Sequence, residues 1–327
     1  MACEGTIVSR GRFWLLLAGF ATTITAAQTP PQPSLQIYGF ATKRHRISQF
    51  ITQTNTRPFT VAVSGSNWWI TTYPSPNEIS ETNFHWQVLS ISNGLLAQCY
   101  YAPNVRLLFA TLKPLVAPVA CNDGVSEFVW LMLIPSVKAD TNNKAILPPV
   151  YSPSAEFGIN PDLRNNCEVE YLDQSRLWLR QVRFFNDGTL NSHDPNGTNR
   201  TVRLPEPYNR GFLEARFETL ASTNWNSLTI PSRVVGEVLG LGPRPGSFRI
   251  NSTIELEVAG IQPLPAGFTL PPLPTSDLAL TDARAPAGKN QVVGFRVHDG
   301  QWPSLEFSHQ VVEEDKRKRR ELGLPLR

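Results

Sequence analysis

The chain of 327 residues is 41% hydrophobic and 17% charged, with 28 prolines and 21 glycines. It is long enough for one large packed domain or two small ones, and its wealth of turn formers argues against long helices. The formal charge is only +3 and sits at the ends, with Arg10 and Arg12 against Glu4 and six basic against four acidic residues in the last fifteen; the near-neutral body excludes steering toward a nucleic acid.

The chain opens on an export signal. Arg10 and Arg12 precede the apolar run 13–20 (FWLLLAGF), and Thr25-Ala26-Ala27 supplies small residues for cleavage, so residues 1–27 are expected to be removed. An uncleaved anchor is the alternative, although the run is shorter than a spanning helix needs. No later segment reads as a span, since residues 105–120 are interrupted by Arg106, Lys113, Pro114 and Pro118. The mature protein is expected in the periplasm or outside the cell, and not as an integral membrane protein.

Residues 28–34 form a proline-rich spacer, expected to be disordered. An antiparallel β domain should follow over residues 35–260. Its first part, 34–56, is ambiguous, and Lys43-Arg44-His45-Arg46 reads as a solvated turn. The stretch 57–73 (RPFTVAVSGSNWWITTY) predicts a hairpin. Phe59, Val61 and Val63 share one face at period 2, and Gly65-Ser66 suits a type II′ turn, where glycine alone enters positive φ freely. The adjacent Trp68 and Trp69 must then point to opposite faces.

A second hairpin pairs residues 84–92 with 95–102 about Asn93-Gly94, and 105–112 is the next strand. Residues 128–134 (FVWLMLI) are continuously apolar, and periodicity leaves helix and buried strand equally open. Further strands are expected at 167–172, 176–186, 211–221 and 225–238, the last broken at Pro231. In 211–221, Leu213, Ala215 and Phe217 alternate inward with Glu214, Arg216 and Glu218 outward. In 248–258, Phe248, Ile250, Ile254, Leu256 and Val258 line one face.

Residues 261–290 carry six prolines and no period, and read as a crossing segment. Residues 291–327 hold a final strand and a basic helix over 304–322. In that helix Glu313, Glu314 and Asp315 precede Arg317, Lys318 and Arg319 by four, the favourable order for ion pairs.

Cleavage would leave Cys99, Cys121 and Cys167, enough for one disulfide. Cys99 with Cys121 is the candidate pair, and three buried free thiols are the alternative. The sequence carries no catalytic, metal or cofactor motif: GxSxG, HExxH, GxxxxGK and CxxC are all missing, and the five histidines are scattered. Two close carboxylate pairs, Glu168 with Glu170 and Glu255 with Glu257, together with Asp187 and His193, are the residues a hydrolase would have to use. A charged outer face of a sheet explains the pairs better. Residues 186–199 (NDGTLNSHDPNGTN) are rich in oxygen ligands but lack EF-hand spacing.

The stretches FTVAVSGSNWWITTY, FVWLMLIP and 282–303 (DARAPAGKNQVVGFRVHDGQWP) resemble uncharacterised exported proteins of diderm bacteria. The consecutive hairpins over 57–258 also resemble the periplasmic lipoprotein-carrier fold. That resemblance implies a mainly β chain, a curved antiparallel sheet or half-barrel holding helices in its concave face. No site residue is carried over with it.

The expected function is a non-catalytic binding or carrier module for an apolar ligand, a lipid or acyl chain. Trp68, Trp69, Trp86, Trp178 and Trp225 are the candidate ligand contacts, because large aromatic residues exceed what a simple core demands. The alternatives are a structural protein of the cell envelope that binds a protein or glycan, and a hydrolase using the surface carboxylates.

Overall fold

The computed structural model describes residues 33–46, 52–64, 67–74, 86–92, 95–101, 107–114, 125–135, 138–139, 145–146, 167–193, 199–266, 268, 278–282, 284, 293–297 and 302–324. All belong to the larger of two units, Gln32–Arg327. The expected signal, the spacer up to Gln32 and both hairpin turns, Gly65-Ser66 and Asn93-Gly94, lie outside the described residues.

In chain order the first strands are β1 (Ser34–Arg46), β2 (Thr52–Ser64), β3 (Asn67–Thr72), β4 (Trp86–Ser92), β5 (Leu95–Tyr101) and β6 (Leu107–Pro114). Helix α1 (Val125–Leu133) and the short β7 (Lys138–Ala139) and β8 (Ala145–Ile146) follow. Next come β9 (Cys167–Tyr171), β10 (Leu179–Asn186), β11 (Thr189–His193), β12 (Asn199–Arg203), β13 (Phe212–Trp225), β14 (Leu228–Leu241) and β15 (Phe248–Pro263). The chain ends with β16 (Leu278–Asp282), β17 (Val293–Val297) and α2 (Leu305–Glu321).

Among the described residues thirteen strands form one sheet, in the order β17-β16-β6-β5-β4-β3-β2-β1-β15-β14-β13-β10-β9. Every pairing is antiparallel except β16 with β6. The first strand thus lies near the middle. The chain meanders outward to β6, reappears at the other edge as β9, and works back until β15 zips onto β1. It then re-enters the sheet beyond β6, and of the proline-rich stretch 261–290 the described parts include the end of β15 and the whole of β16.

The sheet is strongly curved, and α1 shows why. β3 and β13 are separated by β2, β1, β15 and β14, which in a flat sheet would put them roughly 24 Å apart at about 4.8 Å per strand. A helix with its side chains is only about 10–12 Å across. Yet Trp130 of α1 meets Trp68 of β3 with ring centroids 6.4 Å apart, and Phe128 meets Phe217 of β13 at 5.1 Å. Both contacts hold only if the sheet curls round the helix. Gly236 of β14 helps, because the Phe217 ring occupies the place where a side chain on Gly236 would stand.

The ambiguous apolar run is a helix, and it is enclosed. Val125, Phe128, Val129, Trp130, Leu131, Met132, Leu133 and Ile134 are all buried, and a helix apolar on every side is stable only when enclosed on every side. Its one buried hydroxyl, on Ser126, shares a hydrogen bond of 3.2 Å with Thr72. Leu35, Ile37, Val61, Val63 and Ile70 continue the same core across the inner face of the sheet.

Several local expectations need correction. Lys43 to Arg46 do not turn; they end β1, with Arg44 reaching Glu255 across the strand pair at 3.7 Å. Trp225 closes β13 rather than opening a strand, and Asn226-Ser227 turn the chain with positive φ at both residues. Pro231 then lies inside β14 beside a register shift, a place where a missing N–H is tolerated.

A shift between Val238 and Leu239 leaves Asn251 of β15 unpaired and reverses the faces beyond it. Phe248 and Ile250 therefore point outward, and Phe248 packs on Tyr208 and Phe212 instead of the core. Residues 189–193 and 199–203 form a hairpin of their own. In α2 the pairs Glu314–Lys318 and Asp315–Arg319 form as expected, at 2.8 Å each, whereas Glu313 takes Lys316 and Arg317 takes Glu321.

Candidate functional site

The curled sheet has two unlike ends. At one end meet the start of β1, the end of β2, the start of β3, the end of β15, the β13–β14 turn and the β9–β10 loop, as the strand registers dictate. Here the core does not finish in polar residues. Tyr171, Leu172, Leu177, Trp225, Leu228, Val258 and Ile261 are apolar, partly buried and packed against the core cluster. The opposite end carries the polar buried residues Asn186, Glu214 and Ser252.

Trp178 anchors the apolar end. It is 2% exposed, and its indole N–H donates to the Leu133 carbonyl at 3.0 Å. That carbonyl belongs to the last turn of α1, where helical partners run out. One side chain thus fills core volume and caps the helix. Leu172 is tied back by a backbone bond from its N–H to the Trp178 carbonyl at 2.8 Å, and Arg176 lies over the Tyr171 ring at 5.6 Å.

The five candidate tryptophans divide by place. Trp68 and Trp178 lie in the core and Trp225 is partly buried at its margin, all three near the apolar end. Trp69 lies on the outer face, beside Ala62 in the register, and stacks on Phe268 at 5.5 Å. The segment after β15 therefore covers the outer face where Trp69 stands. The Trp86 side chain is outside the described residues.

Cys99 is a buried free thiol, and burial pushes it up to about 12. Cys121 lies outside the described residues, and the expected Cys99–Cys121 bridge is the alternative to the free thiol that the structure gives Cys99. Cys99 should react with a thiol reagent about a thousandfold more slowly in the folded protein than after unfolding, because the thiolate is the reactive form. Peptide mapping checks this. Labelling of Cys99 after unfolding without reductant establishes a free thiol; labelling only after reduction establishes the bridge.

The carboxylates that a hydrolase would use do not gather. Glu168 and Glu170 flank Arg183 at 2.8 and 3.8 Å on an edge of the sheet, and Glu255 pairs with Arg233 at 2.6 Å. Asp187 accepts from the Thr189 N–H and hydroxyl, closing its own turn. The His193 side chain is outside the described residues. Among the described residues no group of three or more His, Cys, Asp or Glu side chains could hold a metal ion.

Glu214 is the residue that sequence reasoning misplaced. Phe184 pairs with Ala215 and Phe185 with Leu213, so Glu214 is the extra residue of a bulge and turns inward. Its carboxylate accepts from Asn186 Nδ2 at 3.4 Å. A period-2 reading cannot anticipate a bulge, and no signal near Glu214 marks one.

No protein-family model matches this chain, and no curated protein does. Several solved structures are similar to it. A LolA superfamily protein from Nitrosomonas europaea is 12% identical, with 73% of this chain and 91% of that one covered and a TM-score of 0.34. A DUF1329 family protein from Desulfovibrio piger is 10% identical over 74% and 90% of the two chains, with a TM-score of 0.31. A putative outer membrane lipoprotein-sorting protein domain from Vibrio parahaemolyticus is 9% identical over 72% and 87%, with a TM-score of 0.29. No residue role is carried over from any of them. No helix among the described residues is long and apolar enough to cross a membrane.

Proposed function

We propose that the protein is an exported, non-catalytic binding or carrier module for an apolar ligand, a lipid or an acyl chain. The ligand engages the apolar end of the curled sheet. The observation that carries this reading is the ring of Tyr171, Leu172, Leu177, Trp225, Leu228, Val258 and Ile261, continuous with the core but only partly buried. Apolar surface left in water costs about 25 cal/mol per Å², and covering it with an acyl chain recovers that energy. Trp225 and Leu228 face each other across the β13–β14 turn and would make the first contact.

Bromine-labelled acyl chains should quench part of the tryptophan fluorescence, and Trp225→Phe should remove most of that quenched fraction. Native mass spectrometry with lipid extraction should find a bound lipid. No quenching and no adduct would sink the reading.

One observation favours a second reading, an envelope protein that binds a protein or glycan. The inner face between β3 and β13 is already filled by α1, whose apolar side chains are buried. This reading predicts co-purification of a macromolecular partner and no extractable lipid, so the same preparation separates the two.

A further inference from the structure

At the end of the sheet opposite the apolar ring, the β10–β11 turn meets the bulge of β13. Asn186 stands between them and uses both ends of its amide. Its Oδ1 accepts from the N–H groups of Gly188 at 2.7 Å and Thr189 at 3.1 Å, and its Nδ2 donates to Glu214. The Gly188 carbonyl in turn accepts from the N–H of Leu204 at 2.8 Å, which ties in the end of the β11–β12 hairpin. Gly211, just before β13, has φ of 91° and lies so close to the Asn186 carbonyl that only glycine fits.

We infer that Glu214 and Asn186 form a proton-operated latch: with its proton, Glu214 stays buried behind Asn186 and holds the β13 bulge against the β10–β11 turn, and losing the proton drives the carboxylate toward water and loosens that turn and the hairpin behind it.

The geometry leaves the ionised form of Glu214 poorly served. Its side chain is buried, its hydrogen bond from the neutral Asn186 amide is long at 3.4 Å, and the carboxylate of Asp187 is its charged neighbour. The cations on the surrounding elements are engaged elsewhere. Arg203 donates to the Asn209 carbonyl at 2.6 Å, Arg210 pairs with Glu206, Arg216 pairs with Glu237, and Arg183 serves Glu168. Among the described residues none pairs with Glu214.

Burial therefore raises the Glu214 carboxyl; the Asn186 hydrogen bond opposes this, Asp187 adds to it, and the result is about 7. The folded value exceeds the ordinary 4.5, so the fold favours the neutral acid. The latch is firmest below the unfolded value, weakens as pH climbs from there, and changes no further above the folded value. The inference does not depend on the identity, or the existence, of an apolar ligand.

Amide hydrogen exchange tests it. Protection of Gly188, Thr189 and Leu204, corrected for intrinsic rates, should fall by about tenfold between about pH 5.5 and about pH 8, with Ile134 of the core as reference. Glu214→Gln should abolish that dependence, and Asp187→Asn should move its midpoint to lower pH. Equal protection at both pH values in the wild type, or a dependence that survives Glu214→Gln, overturns the latch. Should Glu214→Gln fail to fold, an unmoved midpoint in Asp187→Asn overturns it equally.

Discussion

Trp178→Ala should destabilise the protein by about 3–5 kcal/mol, the usual cost of emptying a large buried aromatic site. Its side chain is buried where α1 ends, so the substitution removes core volume and also strips the Leu133 carbonyl of its donor. Trp178→Phe separates the two effects. It keeps most of the volume and loses the indole N–H, and it should cost about 1–3 kcal/mol, the range for an orphaned buried acceptor. Urea unfolding followed by far-ultraviolet circular dichroism measures both. Two variants of equal and small cost would mean that α1 is not held at its C-terminal end by this residue, and the enclosure of the helix would have to be abandoned.

Asp282→Ala should be of comparable size, but local. Asp282 is fully buried on β16 and receives a fork of hydrogen bonds from Arg284 and another from Ser308 of α2, the last at 2.5 Å. Arg284 also donates to the Pro303 carbonyl, at the approach to the Ser304 cap of α2. Removing the carboxylate leaves a mostly buried guanidinium without its counter-charge, a defect that usually costs about 3–5 kcal/mol. The expected result is release of α2, seen as faster tryptic cleavage at Lys316 to Arg320 while the core stays folded.

Acid should do the same to the wild type. Burial alone would raise the Asp282 carboxyl, but the hydrogen bonds from Arg284 and Ser308 outweigh it and hold the group below the ordinary 3.8. With the folded value depressed, the stabilisation is complete above the unfolded value and fades as pH falls through the folded one. α2 should therefore be protease-resistant at neutral pH and released in strong acid. Cleavage that is independent of both the substitution and acid would refute the anchor.

The fold was legible where patterns are local. Phe59, Val61 and Val63 do face inward together, Ser64 does pair with Asn67, and Trp68 and Trp69 do part to opposite faces. The helix α2 announced itself by its charges, and the structure adds its cap, Ser304, whose hydroxyl accepts from the Phe307 N–H. What escaped depends on distant partners. β1 begins with Leu35 and Ile37 inward, but its middle buries the small Gly39 and Ala41 and shows Tyr38 and Phe40 outward, so there its composition inverts the usual cue for a strand's inner face. The outward turn of Phe248 and the inward turn of Glu214 each follow from one inserted residue in a ladder, and only the partner strand shows where that residue falls. Of the apolar ring, Trp225 alone was among the tryptophans singled out in the sequence. Tyr171, Leu177 and Ile261 join it only through register.

The place of β1 bears on how the chain can assemble. One of its edges pairs at once with β2, but the other must wait for β15, and side-chain hydrogen bonds across that seam join residues as much as 226 positions apart. Contacts of such long range come late and slow the search for the native state. Until they form, a thirteen-residue strand presents an open row of N–H and C=O groups to any neighbouring chain. The two halves of the sheet, β1–β6 and β9–β15, are each held by pairings between strands near in sequence, so each can form before the seam closes. Molecules caught in that interval would tend to borrow a strand from one another, making the speed of closure a determinant of yield as well as of structure.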